Sequence, residues 1–404
     1  MGNSLFTTLT ALRAGIEGYP TWVIGLMTSS YFLGFVVGTL RVGALINRVG
    51  HIRSFSAFAA IGAATTLSFL LALNPWTWVL LRLIMGMSIA GCFVVTESWL
   101  NNRATNQNRG TLLSIYMVII YLAGTSGQQL LRLGDPINFK MFLFTSILLA
   151  LAIVPVALTR ATHPDPVRKP QIDLKRLVNV SPTALAGCVI GGLITGSMWG
   201  LGPVYAQALN FELNQIATFM SIFVVGGLLF QLPIGRLSDY FDRRKVLLSV
   251  TIAATLPSII LSFGMAINPS LLFLSIGCFG GLVSTIYPLS ISYANDYLTS
   301  EEILSTSAGF VLVFSIGAVI GPIVVSSMMN FLGSSGLFIW NTLALLTLAG
   351  CIFWRMRIRQ WAPLSEKEPF VALPEAPALT IISDLDPRTE ANKDYDLGPD
   401  KIDY

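Results

Sequence analysis

Apolar segments long enough to cross a membrane alternate with short polar stretches along most of this chain. No residue is charged from Val246 to Asn295 or from Ile303 to Trp354, and each run has room for two helices joined by an uncharged turn. A bilayer core about 30 Å thick requires roughly 20 apolar residues per helix. Because a soluble core could not bury this much apolar surface, the pattern predicts an all-α membrane protein.

We predict twelve helices from this pattern. They are Leu5–Ala14, Thr21–Ile46, Ser54–Leu73, Trp76–Leu100, Thr111–Leu131, Phe139–Thr159, Pro182–Gln207, Asn214–Gly235, Val246–Ile267, Ser270–Tyr293, Ser305–Asn330 and Gly336–Trp354. The first is too short for a full span at 1.5 Å per residue. Either a late start of the chain truncates it or a re-entrant piece replaces its first half, and we favour the late start.

An internal repeat predicts two similar halves. Gly43–Gly50 reads Gly-x-Leu-x-Asn-x-x-Gly, and Gly235–Asp242 reads Gly-x-Leu-x-Asp-x-x-Asp at an offset of 192 residues. We therefore expect a six-helix bundle over 1–160, a linker over 161–181, a second bundle over 182–355 and a tail over 356–404. The tail is polar and contains proline, which predicts disorder, and its role stays open between a docking segment and a solvated end.

Charge sets the expected orientation. Only 11% of residues are charged and the net charge is +4, carried mainly by short loops, so nothing indicates a nucleic-acid partner. Basic residues such as Arg48 and Arg243 crowd the loops on one side, whereas Arg132 and Lys140 lie on the other. By the positive-inside rule, both termini are predicted to be cytoplasmic, in a bacterial inner (plasma) membrane.

Several motifs resemble the major facilitator superfamily. The paired glycine-and-charge turns are similar to its loop signature, and Arg82–Ala90 (Arg-x-x-x-Gly-x-x-x-Ala) is similar to its fourth-helix signature. Ser29–Phe32, Val94–Ser98 and Pro233–Leu237 resemble the YcaD-like subgroup more closely. The resemblance implies the major facilitator fold: two pseudo-symmetric six-helix bundles that enclose a substrate cleft and rock for alternating access. Two departures are Asn47, where the superfamily usually has an acid, and Asp242, which replaces a glycine.

The resemblance implies that helices 1, 4, 7 and 10 line the cavity. The candidate cavity residues are Arg82, Trp199, Tyr205, Tyr287, Asn3, Ser197 and Gln207. Arg82 lies inside a span, where a guanidinium requires a partner or water. It either binds an anionic substrate group or biases a proton, or it tethers helix 1 by hydrogen bonds. Trp199, Tyr205 and Tyr287 are substrate contacts or interfacial anchors.

The predicted gating network consists of charged residues near the cytoplasmic helix ends. Its members are Glu97, Arg48, Arg53, Arg103, Asp239, Arg243 and Arg244. Glu97 is interpreted either as a proton carrier or, the interpretation we favour, as the partner of one of the three first-half arginines. Asp239 with Arg243 and Arg244 is expected to serve the second half in the same way. Such pairs would bias a two-state equilibrium.

These features favour a secondary transporter of a small, unidentified solute, with proton coupling as one possibility. The alternatives are an uncoupled facilitator and a non-transporting receptor built on a transporter scaffold. An enzyme is not expected, because the sequence has no His-Glu-x-x-His, aspartate-rich metal pair or nucleotide-binding loop. We expect no metal and no cofactor, and a monomer whose surroundings are the lipid bilayer.

Overall fold

The twelve predicted helices are all present in the computed structural model. It describes residues 1–103, 109–159, 177–178, 181–264, 268–298 and 300–358. The helices are α1 (Gly2–Ile16), α2 (Thr21–Val49), α3 (His51–Ser68), α4 (Pro75–Arg103), α5 (Arg109–Gln129), α6 (Phe139–Leu151 and Ile153–Leu158), α7 (Pro182–Ala208), α8 (Leu213–Tyr240), α9 (Arg243–Ser262), α10 (Pro269–Asn295), α11 (Ser300–Leu332) and α12 (Gly336–Ile358). The all-helical membrane fold is therefore confirmed.

The two sets of six helices pack in equivalent ways. In the first set α2 packs on α4, α3 on α4 and α6, and α1 on α5 and α6. In the second set α8 packs on α10, α9 on α10 and α12, and α7 on α11 and α12. Every pair in the first set thus has its counterpart six helices later, which is the pseudo-symmetry that the repeated motif predicts. Most of the predicted linker and tail lies outside the described residues, so those boundaries stay predictions.

Ten helices in the described parts of the chain are long and apolar enough to cross a membrane; α1 and α3 are not among them. α1 has 15 residues and runs from Gly2 to Ile16, a little beyond the predicted Leu5–Ala14. At 1.5 Å per residue it is about 22 Å long, shorter than a hydrocarbon core of about 30 Å. Most of its side chains are nevertheless buried, so α1 packs inside the first bundle rather than along its lipid face.

The repeated turns explain why one copy has glycine and the other aspartate. Gly50 joins α2 to α3 with φ +87°, a left-handed conformation that glycine adopts without strain. α3 consequently begins at His51, earlier than the predicted Ser54. In the second copy Asp242 has φ −58°, and its side chain accepts a hydrogen bond from the backbone N–H of Arg244, so it caps α9.

The two bundles meet mainly where α2 packs on α11 and α5 on α8, with further contacts of α7 against α1 and α2. We call the helix ends that carry the Gly50 and Asp242 turns the basic end, and the other the opposite end. At the opposite end Gln129 Nε2 of α5 donates to Ser221 Oγ of α8 at 2.6 Å. Arg132 Nη2 donates to Thr218 Oγ1 at 2.5 Å. The bundles are therefore hydrogen-bonded to each other on this side.

Candidate functional site

A cavity of about 220 Å³ lies between the bundles, near the middle of the helices. It is lined by Met1, Asn3, Ser4, Thr7, Tyr31, Phe32, Phe35, Phe93, Ile120, Tyr121, Ala123, Gly124, Trp199 and Val224. All but the last two belong to the first bundle. The site is therefore built mainly by α1, α2, α4 and α5, and the second bundle contributes one side chain each from α7 and α8.

Aromatic residues are the largest group in the wall. Six of the fourteen lining residues are aromatic, so a solute inside meets several rings. Tyr31 and Phe32 contact edge to face with ring centroids 5.4 Å apart, and Phe35 and Phe93 do so at 6.2 Å. The rings of Trp199 of α7 and Phe223 of α8 also contact edge to face, with centroids 6.3 Å apart. These contacts fix the ring orientations before any solute enters.

The α1 side of the cavity is polar. Asn3 Nδ2 donates a hydrogen bond to Tyr31 Oη at 3.0 Å, which joins α1 to α2. Ser4 Oγ donates to the Gly124 carbonyl of α5 at 2.8 Å, and Thr7 Oγ1 donates to the Asn3 carbonyl at 3.0 Å. An amide and hydroxyl groups thus line one edge of an otherwise apolar site, as in pockets that orient small solutes.

Arg82 of α4 lies directly behind this wall. Its side chain is 2% exposed, and its guanidinium carbon is 4.6 Å from the centroid of the Tyr31 ring and 5.8 Å from that of Phe6. Within the described part of the chain, no hydrogen bond or ion pair involves Arg82, and its Nη1 is buried without a partner. The expected tether to α1 therefore consists of ring stacking on Phe6 rather than hydrogen bonds.

The sequence places Arg82 there through its spacing to Gly86. A Cβ on Gly86 would collide with the carbonyl oxygen of Tyr31 and approach the backbone N of Phe35 at 2.9 Å. Glycine at this position lets α4 approach the α2 backbone closely. One helical turn earlier on α4, the arginine then reaches the Tyr31 ring. The Arg-x-x-x-Gly spacing thus places a buried cation one helical turn from a close contact between two helices.

Four predicted cavity residues lie elsewhere in the structure. Tyr205 is buried in the second bundle, where its hydroxyl donates to the Leu261 carbonyl at 2.5 Å and its ring packs on Phe338. Ser197 Oγ donates to the Ile194 carbonyl at 2.8 Å within α7. Gln207 lies against Gly15 at the opposite end, between the bundles. Tyr287 lies in the half of α10 that is nearer the basic end. Asn3 and Trp199, in contrast, line the cavity.

A hydrophobic cluster toward the basic end includes side chains of both bundles, with Tyr116 of α5 beside Tyr287 and Phe314. The rings of Tyr287 and Phe314 lie 4.5 Å apart. Glu97 is fully buried near this cluster, and its Oε1 accepts a hydrogen bond from Tyr116 Oη at 3.1 Å. One end of the molecule thus combines an aromatic layer with a buried carboxyl group.

The described contacts of the first-half network differ from the predicted ones. Arg48 and Arg53 are exposed, and neither forms an ion pair with Glu97 among the described residues. The side chain of Arg103 lies outside the described part. His51 is buried at the start of α3, and its Nε2 lies 2.9 Å from Ser98 Oγ on α4. A histidine–serine hydrogen bond therefore links α3 to α4 here, and the pairing of Glu97 with Arg103 stays a prediction.

The second-half residues form ion pairs, and their role in gating stays a prediction. Arg243 Nη2 lies 3.0 Å from Asp239 Oδ1, and Nη1 pairs with Asp296 and donates to the Ser292 carbonyl at 2.8 Å. Arg244 departs from the prediction, because it pairs with Asp242 at 3.0 Å rather than with Asp239. The side chain of Arg243 is 1% exposed. These contacts bind the ends of α8, α9 and α10 into one unit.

Sequence reasoning missed most of the aromatic wall. Tyr31, Phe32, Phe35 and Tyr121 lie on α2 and α5, which we did not expect to line the cavity. One signal was available, since Tyr31 follows two serines inside a span and lies one turn before Phe35. In an apolar helix that signal is weak, because phenylalanine is as compatible with lipid as with a cavity wall.

Two pseudo-symmetric bundles of apolar helices around a central cavity define the class of this molecule, a multi-pass membrane protein with the architecture of a transporter. The sequence model of the Major Facilitator Superfamily matches residues 18–213 and 183–387. The chain is 30% identical over 338 residues to the uncharacterised MFS-type transporter YcaD of Escherichia fergusonii, covering 83% of this chain and 87% of that protein. It is 29% identical over 372 residues to an uncharacterised MFS-type transporter of Yersinia enterocolitica, covering 92% and 94%. The chain belongs to the Major Facilitator Superfamily.

Solved transporter structures share the fold. A bacterial homologue of the human lysosomal transporter Spinster, in an inward-facing and occupied conformation, is similar with a TM-score of 0.71 at 15% identity, covering 91% of this chain and 95% of that one. A variant of the nucleoside transporter NupG gives a TM-score of 0.73 at 16% identity, covering 87% and 95%. At these identities the likeness concerns the fold alone. It confirms the major facilitator fold.

Proposed function

We propose that this protein is a secondary transporter that carries a small solute through the cavity by alternating access. The observation that carries the proposal is the position of the cavity, at mid-depth between two pseudo-symmetric bundles. The bundles contact each other on both sides of it, through hydrogen bonds at the opposite end and through a hydrophobic cluster toward the basic end. Rocking of the bundles would open each side in turn.

Proton coupling is the finer part of the proposal. Glu97 is a fully buried carboxyl group, bonded to Tyr116 close to the cluster that would separate when the basic end opens. Burial disfavours the ionised form of a carboxyl group and water favours it, so opening the site would change its affinity for a proton. Proton binding and opening would then be coupled.

The orientation completes the proposal. The basic end, where α12 ends, faces the cytoplasm in the inner membrane of a bacterium, while Met1 lines the cavity at mid-depth. This is supported by the arginines and lysines of the Gly50 and Asp242 turns, against few at the opposite end. We also propose a monomer, which is supported by the fact that residues of one chain line the cavity.

Flux through proteoliposomes tests the function. Solutes are first selected from a metabolite library by thermal stabilisation of the purified full-length protein, and uptake of each radiolabelled hit is then measured with and without an inward proton gradient. We expect uptake that the gradient accelerates, and loss of the acceleration in Glu97→Gln. Asp135→Asn, a change at an exposed acid, is the matched control.

Each outcome separates the alternatives. Uptake by the unchanged protein that is equally fast with and without the proton gradient would contradict proton coupling. It would favour an uncoupled facilitator. Equal acceleration in Glu97→Gln and Asp135→Asn would contradict the role of Glu97. Binding without flux for every selected solute would contradict transport.

A further inference from the structure

The chemistry of the cavity specifies a class of solute, an inference that rests on the proposed transport function. Its volume of about 220 Å³ is less than the roughly 300–1,000 Å³ of pockets that enclose drug-sized ligands. The cavity therefore suits a small solute, such as a molecule with one ring, better than a lipid-sized one.

The wall favours a planar, unsaturated ring. Phe35 and Phe93 line the α2–α4 side, and Trp199 comes from the other bundle. Aromatic side chains prefer offset-stacked or edge-to-face contacts with other rings, worth about 0.5–1.5 kcal/mol beyond area burial. A saturated ring or an extended chain of equal size would gain the burial without this contribution.

The charge beside the cavity favours an anion. None of the lining side chains is charged. Two cationic groups adjoin the cavity, the α-amino group of Met1 and the guanidinium of Arg82 behind the Tyr31 ring. The described contacts of Arg82 are ring faces, with no carboxylate or carbonyl partner in the described residues, and Nη1 is unpaired. A guanidinium buried within a span without a counter-ion is costly. A ligand that brings an anionic group would remove that cost.

Tyr31 connects the charge to the cavity. Its ring supports the Arg82 guanidinium, and its hydroxyl lines the cavity, where Asn3 donates to it. A carboxylate at this edge would accept hydrogen bonds from the amide of Asn3 and the hydroxyl of Tyr31. It would also lie within the field of Arg82.

We propose that the cavity binds a small single-ring aromatic anion, with its ring among Phe35, Phe93 and Trp199 and its anionic group at the Asn3–Tyr31 edge next to Arg82. The solute class follows from the size of the cavity, its aromatic wall and the unpaired buried cation, each observed separately.

Four probes of similar size separate the contributions. 4-Hydroxybenzoate has the ring and the charge, 4-hydroxybenzamide has the ring without the charge, tyramine has the ring with a positive charge, and cyclohexanecarboxylate has the charge without aromaticity. Dissociation constants are measured on the purified full-length protein by calorimetry. We expect 4-hydroxybenzoate to bind about tenfold or more tightly than 4-hydroxybenzamide and tyramine, because a hydrogen bond to a charged group is stronger than a neutral one. We expect it to bind about two- to tenfold more tightly than cyclohexanecarboxylate, which corresponds to the contribution of the ring contact.

Arg82 variants test the origin of the preference. The readout is the ratio of the 4-hydroxybenzamide and 4-hydroxybenzoate dissociation constants, because partial loss of folded protein affects both equally. We expect Arg82→Gln to bring the ratio close to one and Arg82→Lys to keep most of it. Arg41→Gln, at an exposed arginine of the same bundle, is expected to leave the ratio unchanged.

Several results would overturn the proposal: binding of none of the four probes, tighter binding of the amide or the amine, or a ratio that survives in Arg82→Gln. Uptake of a sugar or an amine in the flux assay, with none of 4-hydroxybenzoate, would overturn the solute class while leaving the transport function intact. Binding of 4-hydroxybenzoate without flux would contradict the transport function instead.

Discussion

At the scale of single residues, Gly86 determines how close α4 lies to α2. Its Cα hydrogen faces the Tyr31 carbonyl, so the position tolerates no side chain while the two backbones stay at this distance. The same contact places Arg82 over the Tyr31 ring one turn away. A packing residue and a candidate binding residue are therefore coupled through a single helix pair.

We expect Gly86→Ala to destabilise the protein by about 1–3 kcal/mol, the usual cost of overpacking, because the colliding atoms belong to the backbone and cannot rotate away. Thermal unfolding of the purified protein in detergent measures the change. Gly350→Ala is the matched control, since a Cβ there has no atom within 4 Å. Equal unfolding temperatures for the two variants would show that the α2–α4 distance adjusts freely.

At the scale of elements, α5 and α8 form an inter-bundle contact that must separate if the opposite end opens. Gln129 and Arg132 of the α5 side donate to Ser221 and Thr218 of α8, so the contact is polar and can exchange with water. A polar contact suits a surface that opens repeatedly, because hydrogen bonds to water replace those that break.

Joining the two helices covalently should arrest transport. We expect Gln129→Cys with Ser221→Cys, linked by a short reducible bis-thiosulfonate in a background lacking the four native cysteines, to lose uptake and to regain it on reduction. The control pair, Gln129→Cys with Thr125→Cys, lies on one turn of α5 and should leave uptake unaffected when linked. Full uptake in the linked α5–α8 pair would mean that this contact does not separate.

The sequence predicted which segments are helices but not which helices line the cavity. Long uncharged runs such as Ile303–Trp354 have one stable structure in lipid, so α11 and α12 follow from local pattern alone. Phe93 and Tyr121, in contrast, could face lipid, a neighbouring helix or the cavity with equal local preference. Their orientation depends on contacts between distant helices, which no local pattern records. Arg82 was recognisable because a cation is unusual within a span, and Trp199 because the resemblance places its helix at the cavity.

At the scale of the whole molecule, the two bundles share a fold but differ at the basic end. The second bundle fastens α9 to α10 with Arg243, which pairs with Asp239 and Asp296. At the equivalent place, 192 residues earlier, the first bundle has His51, which contacts Ser98, and Asn47 replaces the acid. Among the described contacts, the second bundle thus has ion pairs at this place and the first a histidine–serine hydrogen bond, so the two halves differ in the groups that join their helix ends.

This asymmetry predicts unequal effects of matched substitutions. Arg243→Gln leaves two carboxylates without their cation, and breaking a buried ion pair in this way costs about 3–5 kcal/mol when the pair is fully buried. Because Asp239 is 33% exposed, solvent will reduce that figure, yet we still expect a clearly lower unfolding temperature. His51→Gln keeps a hydrogen-bonding group and removes no permanent charge, so its unfolding temperature should fall less. Thermal unfolding of both variants at pH 7.5, where an unperturbed histidine is neutral, makes the comparison. A larger loss for His51→Gln would show that the first bundle depends more on this contact at the basic end than the second bundle does on Arg243.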